Sequence, residues 1–204
     1  MIEIVITTFV TFFVIIDPIG LTPVFTALTT GMSKEKRRTV SIRACLLGFT
    51  ILLVFGLSGD AVLNAVGISL PAFRISGGLL LFLIAVEMLF KKRNERRRKE
   101  VEHDNDPSVF PLAVPLIAGP GAIATMILLA GSNGNDYAST SIIIGIAGSV
   151  ILTAFVLFQL GGLIERVLGA TGIDVVTRLF GMLLAALAVQ FVLDGIKNSG
   201  LIGG

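Results

Sequence analysis

Six apolar stretches, each long enough to cross a lipid bilayer, fill most of this 204-residue chain: Ile2–Thr30, Val40–Leu57, Leu70–Phe90, Val109–Ala130, Ser141–Leu163 and Val175–Leu193. A helix needs about 20 apolar residues to cover the hydrocarbon core. Only 15% of residues are charged and 54% are hydrophobic, whereas a soluble domain carries about 25% charged residues. A fold this small cannot hide so much apolar surface from water. The sequence therefore predicts an all-α membrane protein with six transmembrane segments and the lipid bilayer as its solvent.

Two of the six segments are interrupted. The first contains Asp17-Pro18-Ile19-Gly20-Leu21-Thr22-Pro23, and the fourth contains Pro111, Pro115 and Gly119-Pro120-Gly121. Proline inside a helix removes a backbone donor and clashes with the preceding turn, yet it fits the first helical position. Asp17-Pro18 thus predicts an N-cap and the start of a half-helix to about Thr30. Gly119-Pro120 predicts another, running to about Ala130.

The halves of the chain match at these points. Ile16-Asp17-Pro18-Ile19-Gly20 aligns with Ala118-Gly119-Pro120-Gly121. Arg74-Ile75-Ser76-Gly77-Gly78-Leu79-Leu80 aligns with Arg178-Leu179-Phe180-Gly181-Met182-Leu183-Leu184, and Ala85-Val86-Glu87 with Ala188-Val189-Gln190. Three crossings per half make the second half enter the membrane inverted, a construction common in secondary transporters. The expected organisation is a first three-helix repeat over 1–90, a charged cytoplasmic linker over 91–107 and a second repeat over 108–204.

Charge placement predicts orientation. Lys34, Lys36, Arg37, Arg38 and Arg43 follow the first segment, and Lys91, Lys92, Arg93, Arg96, Arg97, Arg98 and Lys99 follow the third. Basic loops stay inside, so both termini and the Ser58–Ser69 and Gly131–Thr140 connections are expected outside. Topology explains the basic run, and no nucleic-acid partner is expected. The N-terminus lacks a basic n-region and a small-residue cleavage site, so it reads as the first span. The single Cys45 excludes an internal disulfide, and His103 sits among charged residues as a solvated side chain.

Helix starts carry unpaired amides and a positive dipole end. Two of them meeting near the midplane make a site for an anionic group such as a carboxylate. Gly20, Gly119 and Gly121 allow close backbone approach, and Thr22 and Thr125 offer hydroxyls. A carboxylate deep in a span, Asp17, is costly and marks function. It can accept a substrate ammonium, carry a coupling proton or Na⁺, or serve as a structural cap. Near the basic loop, Glu87 reads as a snorkelling acid, and Gln190 as an interhelical hydrogen-bonding residue. Arg74 and Arg178 read as headgroup anchors or as partners of Asp60 or Asp174. Gly145, Gly148, Gly161 and Gly162 suit close helix packing, inside one protomer or in a homo-oligomer.

Asp17-Pro18-Ile19-Gly20-Leu21-Thr22-Pro23-Val24-Phe25, with Pro115-Leu116-Ile117-Ala118-Gly119-Pro120-Gly121-Ala122-Ile123, resembles the MarC family of bacterial and archaeal membrane proteins. The resemblance covers essentially the whole chain. It implies kinship with LysE-type exporters, six helices with both termini outside, and a place in the prokaryotic cytoplasmic (inner) membrane. It also implies a small-molecule substrate, since at least one similar protein transports small neutral amino acids such as glycine and alanine. The family's motif positions fall on Asp17, Pro18, Gly20, Gly119, Pro120 and Gly121.

The expected function is secondary transport of a small solute, a small neutral amino acid above others, coupled to a proton or Na⁺ gradient. A passive channel or exporter for another small solute or metal ion, and a non-transporting membrane protein, are the alternatives. No His-Glu-x-x-His, Gly-x-Ser-x-Gly or Cys/His cluster occurs, so neither enzyme activity nor a metal or other cofactor is expected. There is no Walker A sequence to use ATP.

Overall fold

The computed structural model describes residues 2–90, 106–131 and 137–200. Among these the chain is helical throughout, with no strand. The helices are α1 (Ile2–Ile16), α2 (Pro18–Leu28), α3 (Lys34–Val66), α4 (Leu70–Leu89), α5 (Pro120–Gly131), α6 (Tyr137–Gln159) and α7 (Gly161–Asn198), and a proline-rich segment, Ser108–Ile117, precedes α5. Five runs are long and apolar enough to cross a membrane, and the proline segment with α5 is a sixth, bent by 52°. The basic run Lys91–Lys99 and His103 lie outside the described residues.

The first break leaves a nearly continuous span, Val5–Leu28. The Asp17 amide donates to the Phe13 carbonyl at 2.9 Å, and the Asp17 carbonyl accepts from Leu21 at 2.9 Å, so the helical ladder passes through the break. In the fourth segment the expected half-helix starts at Pro120, as α5. Ser108–Ile117 is not a regular α-helix: Phe110 and Val114 are extended, each before a cis proline. Wide five-residue turns close Leu112 onto Pro107 and Ala118 onto Ala113. Prolines at 111 and 115 remove the donors that an α-helix needs there.

The expected Ser58–Ser69 connection is mostly helix. Ser58, Gly59 and Asp60 do not stop α3, which continues to Val66. It ends at Gly67, whose φ of 75° places it in the left-handed region; Gly67 bonds Asn64 and Ile68 bonds Leu63, satisfying the last carbonyls. At 33 residues, α3 is about 50 Å long, well beyond the hydrocarbon core. The sixth segment is likewise longer than expected: α7 begins at Gly161 and bends at Gly169.

Glycines set the helix contacts. In α4 and α7, which run antiparallel, a Cβ on Gly195 would lie 3.0 Å from the Pro71 carbonyl. One on Gly78 would lie 2.8 Å from the Ala188 carbonyl, and one on Gly181 would lie 2.9 Å from Met88 Cβ. Lipid offers apolar side chains as good a home as another helix does, so close backbone approach is what holds such a pair. Gly48, Gly56 and Gly59 of α3 take Ile117, Met126 and Ile127 of the proline segment and α5. Of the four glycines expected to pack closely, Gly148 meets Phe49 and Gly161 meets Thr26, whereas Gly145 and Gly162 face open space.

α3 packs on the proline segment, α5 and α6, while α6 packs on α1, α2 and α3. α2 lies on α7, and α5 on α4. At one end of the molecule Arg43 Nη1 reaches Asp106 Oδ2 at 3.8 Å, both half-exposed or more. Arg43, just beyond the first basic loop, and Asp106 therefore lie on the same face. Also at this end, the Arg37 guanidinium lies over the Phe25 ring at 5.5 Å, and Phe25 stacks on Phe158 at 4.5 Å.

Candidate functional site

Asp17 is the single described non-glycine residue with positive φ, at 55°. For an L-residue this conformation costs about 1–2 kcal/mol, and Asp is among the few that adopt it. The side chain is fully buried. Its Oδ1 accepts the Gly20 amide at 3.0 Å, so it caps α2. A Cβ on Gly20 would fall onto that carboxylate, which makes glycine at 20 a condition of the cap. Pro18 has no amide for the Val14 carbonyl, and Pro23 has none for the Ile19 carbonyl. A buried acid is thus flanked by carbonyls stripped of their helical donors. Such a place attracts positive charge.

The second break has the opposite character. Gly119 stands where the first has Asp17, so the first turn of α5 receives no side-chain cap from that position. A Cβ at Gly119 would collide with the Pro115 carbonyl. The start of α5 keeps its positive dipole end without an internal acid.

The two breaks are neighbours. A Cβ on Gly121 would lie 3.4 Å from Ile15 Cγ2, two residues before Asp17, and 2.8 Å from Ile84 Cδ1 of α4. Thr22 and Thr125 are also fully buried. The Thr22 hydroxyl donates to the Pro18 carbonyl at 2.8 Å. Thr125 behaves differently: its Oγ1 is buried with no hydrogen-bond partner. Thr11, Thr22, Thr26 and Thr29 all bond back to the carbonyl four residues earlier; Thr125 does not. A hydroxyl left unpaired in a dry interior costs about 1–3 kcal/mol, and such an exception asks for an explanation.

Other expectations are corrected. Glu87 does not simply snorkel, because its Oε2 is buried. Gln190 donates to Asp194 Oδ1 at 3.0 Å in its own helix, not across helices. Among the described residues Arg43 pairs with Asp106, and neither Arg74 nor Arg178 pairs with Asp60. Asp106 also accepts from the Ser108 hydroxyl at 2.6 Å and amide at 3.0 Å. These two bonds, with Arg43 and Lys36 nearby, hold its carboxyl below the ordinary carboxylate value. Two features were not read from the sequence at all. One is the buried, unpartnered hydroxyl of Thr177. The other is a polar cavity beside Asp60, hidden because Asp60 read as part of a loop.

Comparison with known proteins extends this description. The family described as MarC family integral membrane protein matches residues 2–199. The UPF0056 membrane protein of Aquifex aeolicus (strain VF5) is 38% identical over 195 residues, covering 93% of this chain and 91% of that one. The corresponding protein of Archaeoglobus fulgidus is 37% identical, covering 94% and 91%. Escherichia coli (strain K12) YhcE, also named a UPF0056 membrane protein, is 36% identical, covering 93% and 90%. No solved structure matches the chain.

Proposed function

The chain belongs to the MarC family of integral membrane proteins, and from that premise we propose that it is a secondary transporter of a small solute, foremost a small neutral amino acid, driven by a proton or Na⁺ gradient. One observation carries this reading: a helix start capped by a buried acid lies beside a helix start without one. A zwitterion matches that pair. Its carboxylate suits the first turn of α5, and its ammonium suits Asp17 with the Val14 and Ile19 carbonyls. Thr125 supplies a hydroxyl that otherwise goes unused.

Burial supports a transporter over a standing pore. Asp17, Thr22 and Thr125 have no exposed surface, so a solute reaches them only when helices part, as alternating access requires. The neighbour pattern supports an inverted repeat over 1–90 and 108–204. α3 lies on the proline segment and α5, as α6 lies on α1 and α2, and α2 meets α7 as α5 meets α4. Third helices of the two halves run antiparallel. With the basic face inside, the termini are extracytoplasmic, and bacterial and archaeal relatives fit a prokaryotic inner membrane. No catalytic role is assigned to any residue.

The test is uptake of labelled glycine and alanine into proteoliposomes under separate proton and Na⁺ gradients. Saturable, gradient-driven uptake is expected. Unsaturable flux without coupling would instead mark a passive pore. Absence of uptake from folded, inserted protein would remove the amino-acid assignment.

A further inference from the structure

A groove of about 390 Å³ runs between α3 and α6 on the outside of the molecule. Cys45 and Ile151, both buried, form its floor, and Ile42, Leu46 and Leu152, all exposed, form its rims. Its most polar side chain is the Cys45 thiol, which donates to the Ile151 carbonyl at 3.9 Å. The groove therefore offers nothing to a polar solute, and in an integral membrane protein it faces acyl chains. Just beyond one end, the Gln159 side-chain amide donates to Ser41 Oγ at 2.7 Å and ties the two helices together. Basic residues stand above that end. Arg38, Ile42 and Leu46 are four positions apart and share one face of α3. Helical side chains lean toward the N-terminus, so Arg38 reaches out of the groove toward the headgroup layer. It is exposed and has no ion-pair partner among the described residues. Lys34, Lys36 and Arg37 share these first turns with a single acid, Glu35. From Ile42 to Phe49 the groove follows α3 for about 10 Å, within the hydrocarbon of one leaflet, about 15 Å.

We propose that this groove binds an anionic phospholipid, with one acyl chain lying between α3 and α6 and the phosphate meeting Arg38. The chain fills the apolar furrow, and the headgroup supplies the negative charge that the basic end of α3 lacks. A guanidinium pairs with phosphate through two parallel hydrogen bonds. A zwitterionic lipid fills the furrow equally well but brings its own cation toward Arg38. Selection therefore comes from charge and occupancy from shape. The site depends on the chain lying in a membrane, and not on the transport reading.

The chain has no Trp, so one introduced at a rim reports from that place alone. Leu46→Trp on α3 and Leu152→Trp on α6 give two independent reporters. Each full-length variant is reconstituted into vesicles of acyl-brominated phosphatidylcholine with increasing unbrominated phosphatidylglycerol. Bromine quenches a neighbouring indole, so emission recovers as phosphatidylglycerol displaces phosphatidylcholine. At both reporters phosphatidylglycerol is expected to bind about fivefold more tightly or better, the worth of one basic residue at an anionic surface. At Leu79→Trp, an exposed position on α4, the two lipids should compete nearly equally. Arg38→Gln in either reporter background is expected to abolish the preference, and Arg38→Lys to keep most of it. Helical content by circular dichroism checks each variant. Equal affinities at the groove, the same preference at Leu79→Trp, or a preference retained in folded Arg38→Gln overturns the proposal. So does emission from the groove that bromine leaves untouched, as when a second copy of the chain covers it.

Discussion

Asp17 and Gly20 form one unit: the carboxylate of the first accepts the amide of the second at 3.0 Å, in space that only glycine leaves free. The unit lies inside a span, fully buried, and it converts a proline break into a defined helix start. Charge and capping can be separated there by substitution.

Asp17→Asn keeps an oxygen for the cap and removes the charge. The variant is expected to fold with native helical content and to lose gradient-driven uptake or its coupling. Asp17→Ala removes the cap too, and should cost about 1 kcal/mol more in stability. Native uptake by Asp17→Asn would take the carboxylate out of the mechanism.

Gly20→Ala tests the space. The added methyl falls on the Asp17 carboxylate, and overpacking of this kind costs about 1–3 kcal/mol. Thermal unfolding in detergent should show a lower midpoint. An unchanged midpoint would mean that the cap is dispensable.

Thr125→Val predicts a split between stability and activity. Replacing a buried hydroxyl without a partner by a methyl should leave stability unchanged or raise it by up to about 1–3 kcal/mol. Uptake should fall, with KM rising more than kcat falls. A loss of stability would show that the hydroxyl is satisfied inside the fold.

The Arg43–Asp106 link gives a pH dependence with a definite sign. The Asp106 carboxyl is held below its ordinary value by Ser108 and Arg43. Its contribution is therefore complete above the unfolded value of about 3.9 and is lost as pH falls below it. Both partners are exposed, so the effect is small and screened by salt. Asp106→Asn should flatten the acid limb of a stability profile, and high salt should remove only the part that Arg43 and Lys36 contribute, since the Ser108 hydrogen bonds are not screened.

Much of this architecture was legible in the sequence. Hydropathy located the spans, and Pro18 and Pro120 located the helix starts, because proline restricts the backbone whatever surrounds it. Ends of spans were harder. Ser58, Gly59 and Asp60 look like a loop, but helix continues through them until Gly67 adopts a left-handed conformation. Pro111 and Pro115 marked an interruption in the fourth segment but not its form, in which Phe110 and Val114 are extended. At the site, the residue types were readable and their satisfaction was not. Asp17 as a cap follows from local spacing, whereas the orphaned Thr125 and the groove between α3 and α6 depend on which helices meet.

The α4–α7 seam has a consequence for how such a molecule opens. Glycines at 78, 181 and 195 bring the two backbones into contact at three levels, and each helix belongs to a different half. For the transport function proposed above, halves stitched together in this way act as one frame and do not rock apart as two shells. The parts expected to move in transport are then the short pieces, α2 and α5 with the segments that lead into them, within a fixed scaffold. A disulfide between Ile75→Cys and Gly195→Cys, made in a Cys45→Ser background, should lock the seam and leave uptake running; arrested uptake would move the gate to the seam itself.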